Sequence, residues 1–144
     1  MWRKVPQADP SAWREQNRHK EIKPEKLVDI IKPGSRVYFG SACSEPVILT
    51  SQLAENREKL VDCQIYHFFT LSDQKFFVEE QPSLFRHNTL SMIGSPSMRD
   101  AINKGISDYT PIMSSSIPPL LKGIGKRLHI DVALVQVSPP DKNG

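Results

Sequence analysis

The hydrophobic pattern of the chain predicts short strands that alternate with helices. β-Branched and aromatic residues form runs that end at polar or glycine breaks, which is typical of strands, at residues 36–39, 64–71, 88–93 and 108–113. Apolar positions at helical spacing define four further segments, which begin near residues 24, 46, 97 and 117. The alternation indicates βαβ units and therefore an α/β fold, with a mostly parallel sheet and helices on its faces.

The final apolar run has the clearest strand signal. Residues 130–137 read IDVALVQV, which is almost continuously apolar and β-branched. A strand that is buried on both faces of a parallel sheet requires this composition. We therefore expect a central strand here, followed by a strand-end loop at residues 138–144.

The first part of the chain is different in character. Residues 1–23 are polar and include Pro6 and Pro10, so we expect an N-terminal arm that lies on another surface or stays disordered. Residues 24–144 then form one domain. This division suits a chain of 144 residues, because such a length supports a single modest core.

Composition and charge narrow the class of function. The net charge is +3, and the positive residues are interleaved with acids, which favours an anionic ligand over nucleic acid. Cys43 and Cys63 match neither a disulfide framework nor a zinc spacing. We therefore expect no metal and a reducing compartment, the cytoplasm, with a mitochondrial address as the alternative. No run approaches the roughly 18 apolar residues of a membrane helix, so no membrane partner is expected.

The loops that follow the strands form the predicted site, because ligands of open parallel sheets bind beyond the carboxyl ends of the strands. Helix N-termini that follow such loops attract anions through free backbone N–H groups and the helix dipole. Three of these loops combine serine with glycine or proline. The candidate substrate-binding residues are Gly40, Ser41, Glu45, Pro46, Ser95, Arg99, Ser138, Pro139 and Pro140.

Each of these features also has a structural interpretation, which the residues alone favour. Glycine, serine and proline between a strand and a helix are common turn chemistry, and Ser44 and Ser95 are placed to cap the following helices. Glu45 is most simply an acid that stabilises a helix dipole, and secondarily a group that shapes a pocket. Cys43 would be a nucleophile only beside a histidine, and His67 is most simply a surface or satisfied core residue. We therefore assign no catalytic residue.

Three segments carry more specific motifs. They are residues 36–46, RVYFGSACSEP; residues 94–111, which begin GSPSMR and end YTP; and residues 131–144, DVALVQVSPPDKNG. In this order they resemble the acetyl-CoA hydrolase/transferase family, whose members include 4-hydroxybutyrate CoA-transferase. The resemblance extends from about residue 25 to the end of the sequence, and its last segment is the most specific.

This resemblance implies a fold in which two related halves face each other across a cleft for an acyl-CoA and a small carboxylate. The chain is similar to the first half, so residues 24–144 would be a CoA-transferase N-terminal domain that is incomplete at its C-terminus. In the family, a glutamate of the second half attacks the acyl-CoA, and neither it nor the glycine-rich CoA-binding loop has a counterpart here. The resemblance implies that this chain alone is inactive.

The same resemblance implies the partners. Coenzyme A would be a substrate and not a tightly bound cofactor, and the chain would associate with a C-terminal half or second chain and into homo-oligomers. A second function stays open, namely a noncatalytic module that binds CoA or assembles subunits through the same loops. Nucleic-acid binding is a third, and it would have to weaken with added salt.

Overall fold

The computed structural model describes residues 10–72, 85–122 and 128–138 of the chain. The strands are β1 (Arg36–Phe39), β2 (Gln64–His67), β3 (Arg86–Leu90), β4 (Asp108–Thr110) and β5 (Val132–Leu134). The helices are α1 (Pro10–Asn17), α2 (Leu27–Ile30), α3 (Val47–Glu55), α4 (Pro96–Asn103) and α5 (Ile117–Lys122). This order confirms the α/β class that the alternation of patterns predicted.

The strands form one five-stranded sheet in the order β4-β3-β2-β1-β5, and every pair of neighbours is parallel. The register places Tyr38 of β1 between Tyr66 of β2 and Ala133 of β5. Because the strands are parallel, their carboxyl ends meet at one edge of the sheet. We call this edge the C-terminal rim, and among the described residues it consists of 40–46, 68–72, 91–95, 111–116 and 135–138.

The apolar core lies against one face of the sheet. Along β1 the residues alternate between partly buried and buried, and the same alternation occurs in β2. The side chains of Val37 and Ile65 are fully buried and cluster with Leu53 of α3 and Met98 of α4. Each such side chain stabilises the fold by about 1.5–3 kcal/mol relative to full exposure. The core therefore fixes the strand ends, and with them the rim.

The final strand is shorter and less central than its composition predicts. β5 contains three residues and lies at the edge of the sheet, where β1 is its strand partner among the described residues. Val135 and Val137 follow it with exposed fractions of 45% and 78%. The expectation of a central strand over residues 130–137 is therefore wrong for this chain. The composition of a segment indicates how deeply it tends to be buried, but it does not show whether a neighbouring strand is present.

Other boundaries shift by a few residues. The strands predicted to reach residues 71, 93 and 113 end at His67, Leu90 and Thr110. At the end of β3 the reason is local, because Ser91 has a φ of 67°, a left-handed conformation that cannot continue a strand. Within the predicted arm, residues 1–9 lie outside the described residues, and α1, which no pattern predicted, begins at Pro10.

Candidate functional site

Two loops of the C-terminal rim hydrogen-bond to each other directly. The backbone N–H of Ala42, after β1, donates to the carbonyl of Phe69, after β2, at 2.8 Å. The N–H of Phe69 donates in turn to the hydroxyl oxygen of Ser41 at 3.4 Å. Residues 40–46 and 68–72 therefore form one connected surface, and the predicted residue Ser41 is part of the connection.

Glu45 strengthens this connection. Its side chain is only 6% exposed, and its carboxylate accepts hydrogen bonds from the N–H groups of Leu71 at 3.1 Å and Ser72 at 3.3 Å. The hydroxyl of Ser72 donates to the same carboxylate. Hydrogen bonds to an ionised acceptor are about twice as strong as neutral ones. Glu45 thus anchors the loop after β2, a role that neither the dipole nor the pocket interpretation predicted.

The loop after β5 lies against the loop after β1 on the opposite side. Gly40 donates its N–H to the carbonyl of Leu134 at 2.8 Å, and Gln136 donates its N–H to the carbonyl of Ser44 at 3.0 Å. Ser138 follows two residues later and is exposed. The predicted residues Ser41 and Ser138 therefore belong to neighbouring loops. Pro139 and Pro140 lie outside the described residues.

The loop after β3 packs closely against the loop after β2. A Cβ atom on Gly94 would lie 2.0 Å from the carbonyl oxygen of Thr70, so only glycine allows this contact. Ser95 is buried, and its hydroxyl accepts a hydrogen bond from the N–H of Met98 at 3.2 Å, which confirms the predicted cap of α4. Arg99 is exposed on the same helix. Substrate contacts of Ser95 and Arg99 stay predictions.

The loop after β1 folds back on itself, which corrects the expected cap at Ser44. A Cβ atom on Gly40 would lie 2.1 Å from the carbonyl oxygen of Ser44, so only glycine allows this close approach, and contact of Gly40 with a substrate stays a prediction. Ser44 does not cap α3, because Pro46 occupies the N-cap position and no side chain accepts a hydrogen bond there. Ala42 adopts a φ of 49°, a strained conformation for a residue with a Cβ.

A buried histidine links two strands beneath the rim. The imidazole of His67 contacts the hydroxyl of Thr70 through Nδ1 at 2.8 Å and that of Thr89 through Nε2 at 3.1 Å. Burial lowers the pKa of His67 to about 4. Burial, followed by the neighbouring His67, lowers the pKa of His87 well below its ordinary value. The interpretation of His67 as a satisfied core residue is confirmed, although its two threonine partners were not predicted.

The described parts of the chain contain two free thiols and no cluster of three potential metal ligands. Cys43 is exposed, Cys63 is buried, and both are free thiols. Within residues 10–72, 85–122 and 128–138, no group of three or more His, Cys, Asp or Glu side chains is arranged to hold a metal ion. None of the helices there has the length and apolar character needed to cross a bilayer.

Comparison with known proteins gives first the fold and then the family. The fold is similar to the crystal structure of RipA from Yersinia pestis, with a TM-score of 0.69 and 25% identity over 94% of this chain and 32% of that chain. Residues 5–144 match the acetyl-CoA hydrolase/transferase N-terminal domain. The chain therefore belongs to the acetyl-CoA hydrolase/transferase family, which confirms the resemblance inferred from its motifs.

Comparison with two curated relatives shows what share of their length this chain covers. It is 40% identical to the 4-hydroxybutyrate coenzyme A transferase of Clostridium kluyveri, over 92% of this chain and 30% of the relative. It is 34% identical to the succinyl-CoA:acetate/propanoyl-CoA:succinate CoA transferase of Fasciola hepatica, over 83% of this chain and 24% of the relative. The chain thus spans less than a third of the length of either relative.

Proposed function

We propose that this chain is the N-terminal domain of an acyl-CoA hydrolase or CoA-transferase, and that its C-terminal rim forms one wall of a cleft for an acyl-CoA and a small carboxylate. The observation that carries the proposal is the connection of three strand-end loops. Residues 40–46 hydrogen-bond to residues 68–72 on one side and to residues 135–138 on the other. Ligands of open parallel sheets bind at this edge.

The substrate class follows from the relatives. The Clostridium kluyveri and Fasciola hepatica proteins are both named as CoA transferases, so we expect the same chemistry of thioester and carboxylate here. Coenzyme A is then a substrate and not a resident cofactor. A cytoplasmic location and assembly into homo-oligomers stay predictions, and sedimentation of the chain tests the second.

Among the described residues of the C-terminal rim, Glu45 carries the only carboxylate. The carboxylate of Glu45 is already engaged by Leu71 and Ser72, so we place the attacking glutamate on polypeptide that the relatives possess beyond the matched segment. Its carboxylate would attack the thioester carbonyl and release CoA thiolate, which leaves an acyl-glutamyl anhydride. The thiolate would then attack the glutamyl carbonyl and release the acyl carboxylate. The resulting glutamyl-CoA thioester passes CoA to an acceptor carboxylate, or loses it to water.

Calorimetry with acetyl-CoA tests whether the C-terminal rim binds this substrate. We expect the chain to bind acetyl-CoA, and Ser138→Asp to weaken that binding several-fold, because it adds a negative charge where the anionic ligand approaches. Asn103→Asp is the matched control, since it adds the same charge at an exposed position at the far end of α4. Equal affinities for both variants, or no binding by the parent chain, would contradict the proposal.

A transfer assay tests where the catalyst lies. The chain alone should not exchange CoA between acetyl-CoA and butyrate. It should do so when mixed with the remaining, C-terminal part of the Clostridium kluyveri relative. Rapid exchange of CoA by the chain alone would contradict the placement of the attacking glutamate on the C-terminal polypeptide.

A noncatalytic CoA-binding or subunit-assembly module is the second candidate. It is favoured by the engagement of Glu45 and by the limited share of each relative that the chain spans. It predicts affinity for CoA or for a partner chain with no exchange after the C-terminal part is added. The transfer assay therefore separates the two candidates.

A further inference from the structure

An imidazole joins the loop after β2 to the neighbouring strand β3 beneath the C-terminal rim. His67 is the last residue of β2. Its Nδ1 lies 2.8 Å from the hydroxyl oxygen of Thr70, and its Nε2 lies 3.1 Å from that of Thr89. All three residues are at most 1% exposed. Water therefore does not compensate for the loss of either hydrogen bond.

The loop end of this link leads to two further contacts of the rim. The carbonyl oxygen of Thr70 lies so close to Gly94 that a Cβ atom there would be 2.0 Å away. The next N–H group along the chain, that of Leu71, donates to the buried carboxylate of Glu45 at 3.1 Å. A shift of Thr70 would therefore disturb the loops after β1, β2 and β3 together.

Protonation of His67 changes the direction of one of its hydrogen bonds. In a neutral imidazole one ring nitrogen donates and the other accepts, so one of the two threonine hydroxyls donates its proton to the ring. In the imidazolium both nitrogens donate, and that hydroxyl must turn its proton towards a new acceptor in a buried site. The ring of His87 lies edge-on to that of His67, with 5.7 Å between the centroids. A positive charge on one ring therefore disfavours a positive charge on the other.

The surroundings of the two imidazoles favour their neutral forms. Burial lowers the pKa of both histidines, and His67 lowers that of His87 further. The carboxylate of Glu45, in the loop after β1, is buried but is engaged by two backbone N–H groups. The other described ionisable groups on the elements around His67 are the buried Cys63, then Arg36, Tyr38 and Tyr66 on the opposite face of the sheet, and the exposed Cys43, Glu55, Arg86, Arg99 and Asp100. Since both imidazoles are buried, a proton reaches them when the structure around them opens.

We propose that His67 is a positioning residue of the C-terminal rim, and that proton binding to its imidazole releases the loop after β2 and weakens substrate binding in mild acid. This inference rests on the proposed function and adds regulation of the same site by pH. The neutral imidazole holds the loop against β3, whereas the opened loop exposes His67 to water and takes up the proton. The opened form therefore gains in population as the pH falls below the ordinary range of a histidine.

Native-state hydrogen exchange of the chain tests the release of the loop. The amides of Leu71 and Ser72 are followed at about pH 7.5 and about pH 5, in low concentrations of urea. With a pKa of about 4 for His67 in the closed form and 6.5 in the opened form, linkage allows their protection factors to fall by up to about thirtyfold. We expect a fall of at least about tenfold, with little dependence on urea, because only the loop opens.

Two histidine variants show whether His67 carries this effect. His67→Gln retains polar atoms at this position but does not titrate, so the protection factors of Leu71 and Ser72 should change less than about threefold between the two pH values. His129→Gln is the matched control. The side chain of His129 is 55% exposed beside Asp131, before β5, so the pH dependence of the parent chain should persist in this variant.

Two threonine variants test the link itself, and they decide the inference if circular dichroism shows that His67→Gln does not fold. Thr70→Val keeps the shape of threonine without its hydroxyl. The amides of Leu71 and Ser72 should therefore exchange faster at about pH 7.5 and respond less than about threefold to acid. Thr70→Ser keeps the hydroxyl and should retain the response of the parent chain. Equal responses in the two variants would overturn the inference.

Calorimetry with acetyl-CoA connects the loop to the site. Between the two pH values, the affinity of the parent chain should fall at least about threefold more than that of His67→Gln, because titration of the ligand is common to both. Equal pH dependence in these two proteins, in exchange or in affinity, would overturn the inference. So would exchange at Leu71 that depends on urea as steeply as exchange at Val37 and Ile65, because only global unfolding would then admit the proton. Absence of acetyl-CoA binding at either pH would remove the proposed function, whereas the exchange results would still decide whether His67 controls the rim.

Discussion

The buried carboxylate of Glu45 accepts hydrogen bonds from both the main-chain N–H and the hydroxyl of Ser72, a residue 27 positions further along the chain. Leu71 donates a third hydrogen bond to the same group. A side chain from the loop after β1 therefore helps to hold the loop after β2 in place. Any ligand that touches one of these loops would depend on the position of the other.

Replacement of Glu45 should reveal this dependence. We expect Glu45→Ala to lower the free energy of unfolding by about 1–3 kcal/mol, because two backbone donors and a hydroxyl lose their acceptor. Urea denaturation measures the change. Glu58→Ala is the control, since Glu58 is exposed on a short helical turn and should alter stability by no more than about 0.5 kcal/mol. Equal losses in the two variants would contradict the anchoring role.

A methyl group at Gly94 should push two rim loops apart. The added Cβ would overlap the carbonyl oxygen of Thr70, and overpacking of this kind costs about 1–3 kcal/mol. Gly34→Ala is the comparison, because a Cβ there meets nothing within 4 Å and the cost comes from a φ of 79° alone. Hydrogen exchange at Ala42 and Leu71 should accelerate in Gly94→Ala but not in Gly34→Ala. Unchanged exchange in both would show that the contact is dispensable.

The cap of α4 should contribute measurably to stability. Ser95→Ala removes the oxygen that accepts the N–H of Met98, and loss of such a cap costs about 0.5–2 kcal/mol. Ser115→Ala, at an exposed position of the turn before α5, should have little effect. Thermal unfolding of the two variants measures the difference. Equal melting temperatures would mean that the capping bond contributes nothing.

The buried histidines predict loss of stability in mild acid. The pKa of His67 is about 4 in the folded chain, against an ordinary value of 6.5, so the unfolded chain binds the proton first. The stability that neutral His67 contributes is therefore complete above pH 6.5 and is lost as the pH falls towards 4. The slope reaches about 1.4 kcal/mol per pH unit for one such group. His87, whose pKa is also lowered, adds in the same direction.

Two substitutions separate this effect from the general titration of carboxylates. His67→Gln should reduce the steepness of the stability profile between pH 6.5 and 4, measured by urea denaturation at each pH. His19→Gln should leave the profile unchanged, because His19 is exposed. Carboxylates are common to all three proteins and cancel in the comparison. If the stability of His67→Gln depended on pH as steeply as that of the parent chain, the acid sensitivity would come from other groups.

Local patterns were sufficient to predict most of the fold. The β-branched and aromatic residues of β1 and β2, and the prolines that precede the apolar stretches of α2 and α3, are properties of neighbouring residues. The edge position of β5 was not predictable in this way. It depends on which strands are available to pair, and this is a property of the whole polypeptide and not of a segment.

The candidate site was predictable in its location but not in its contacts. Strand-end loops meet at one rim in any parallel sheet, so Ser41 and Ser138 could be placed on the same side in advance. The partners of Glu45, and Thr89 as a partner of His67, could not be predicted, because they lie at least 22 residues away along the chain. The cap at Ser95 was predictable because its partner, Met98, lies only three residues away.

The pairing of β1 with β5 also has a consequence for synthesis of the chain. β1 cannot complete its pairing until β5 has left the ribosome, since the contact between Arg36 and Asp131 spans 95 residues. Closing so long a loop costs entropy before any contact repays it, and this slows folding. Until β5 has emerged, the nascent chain would therefore expose one side of β1, and chaperone binding during translation is expected at this stage.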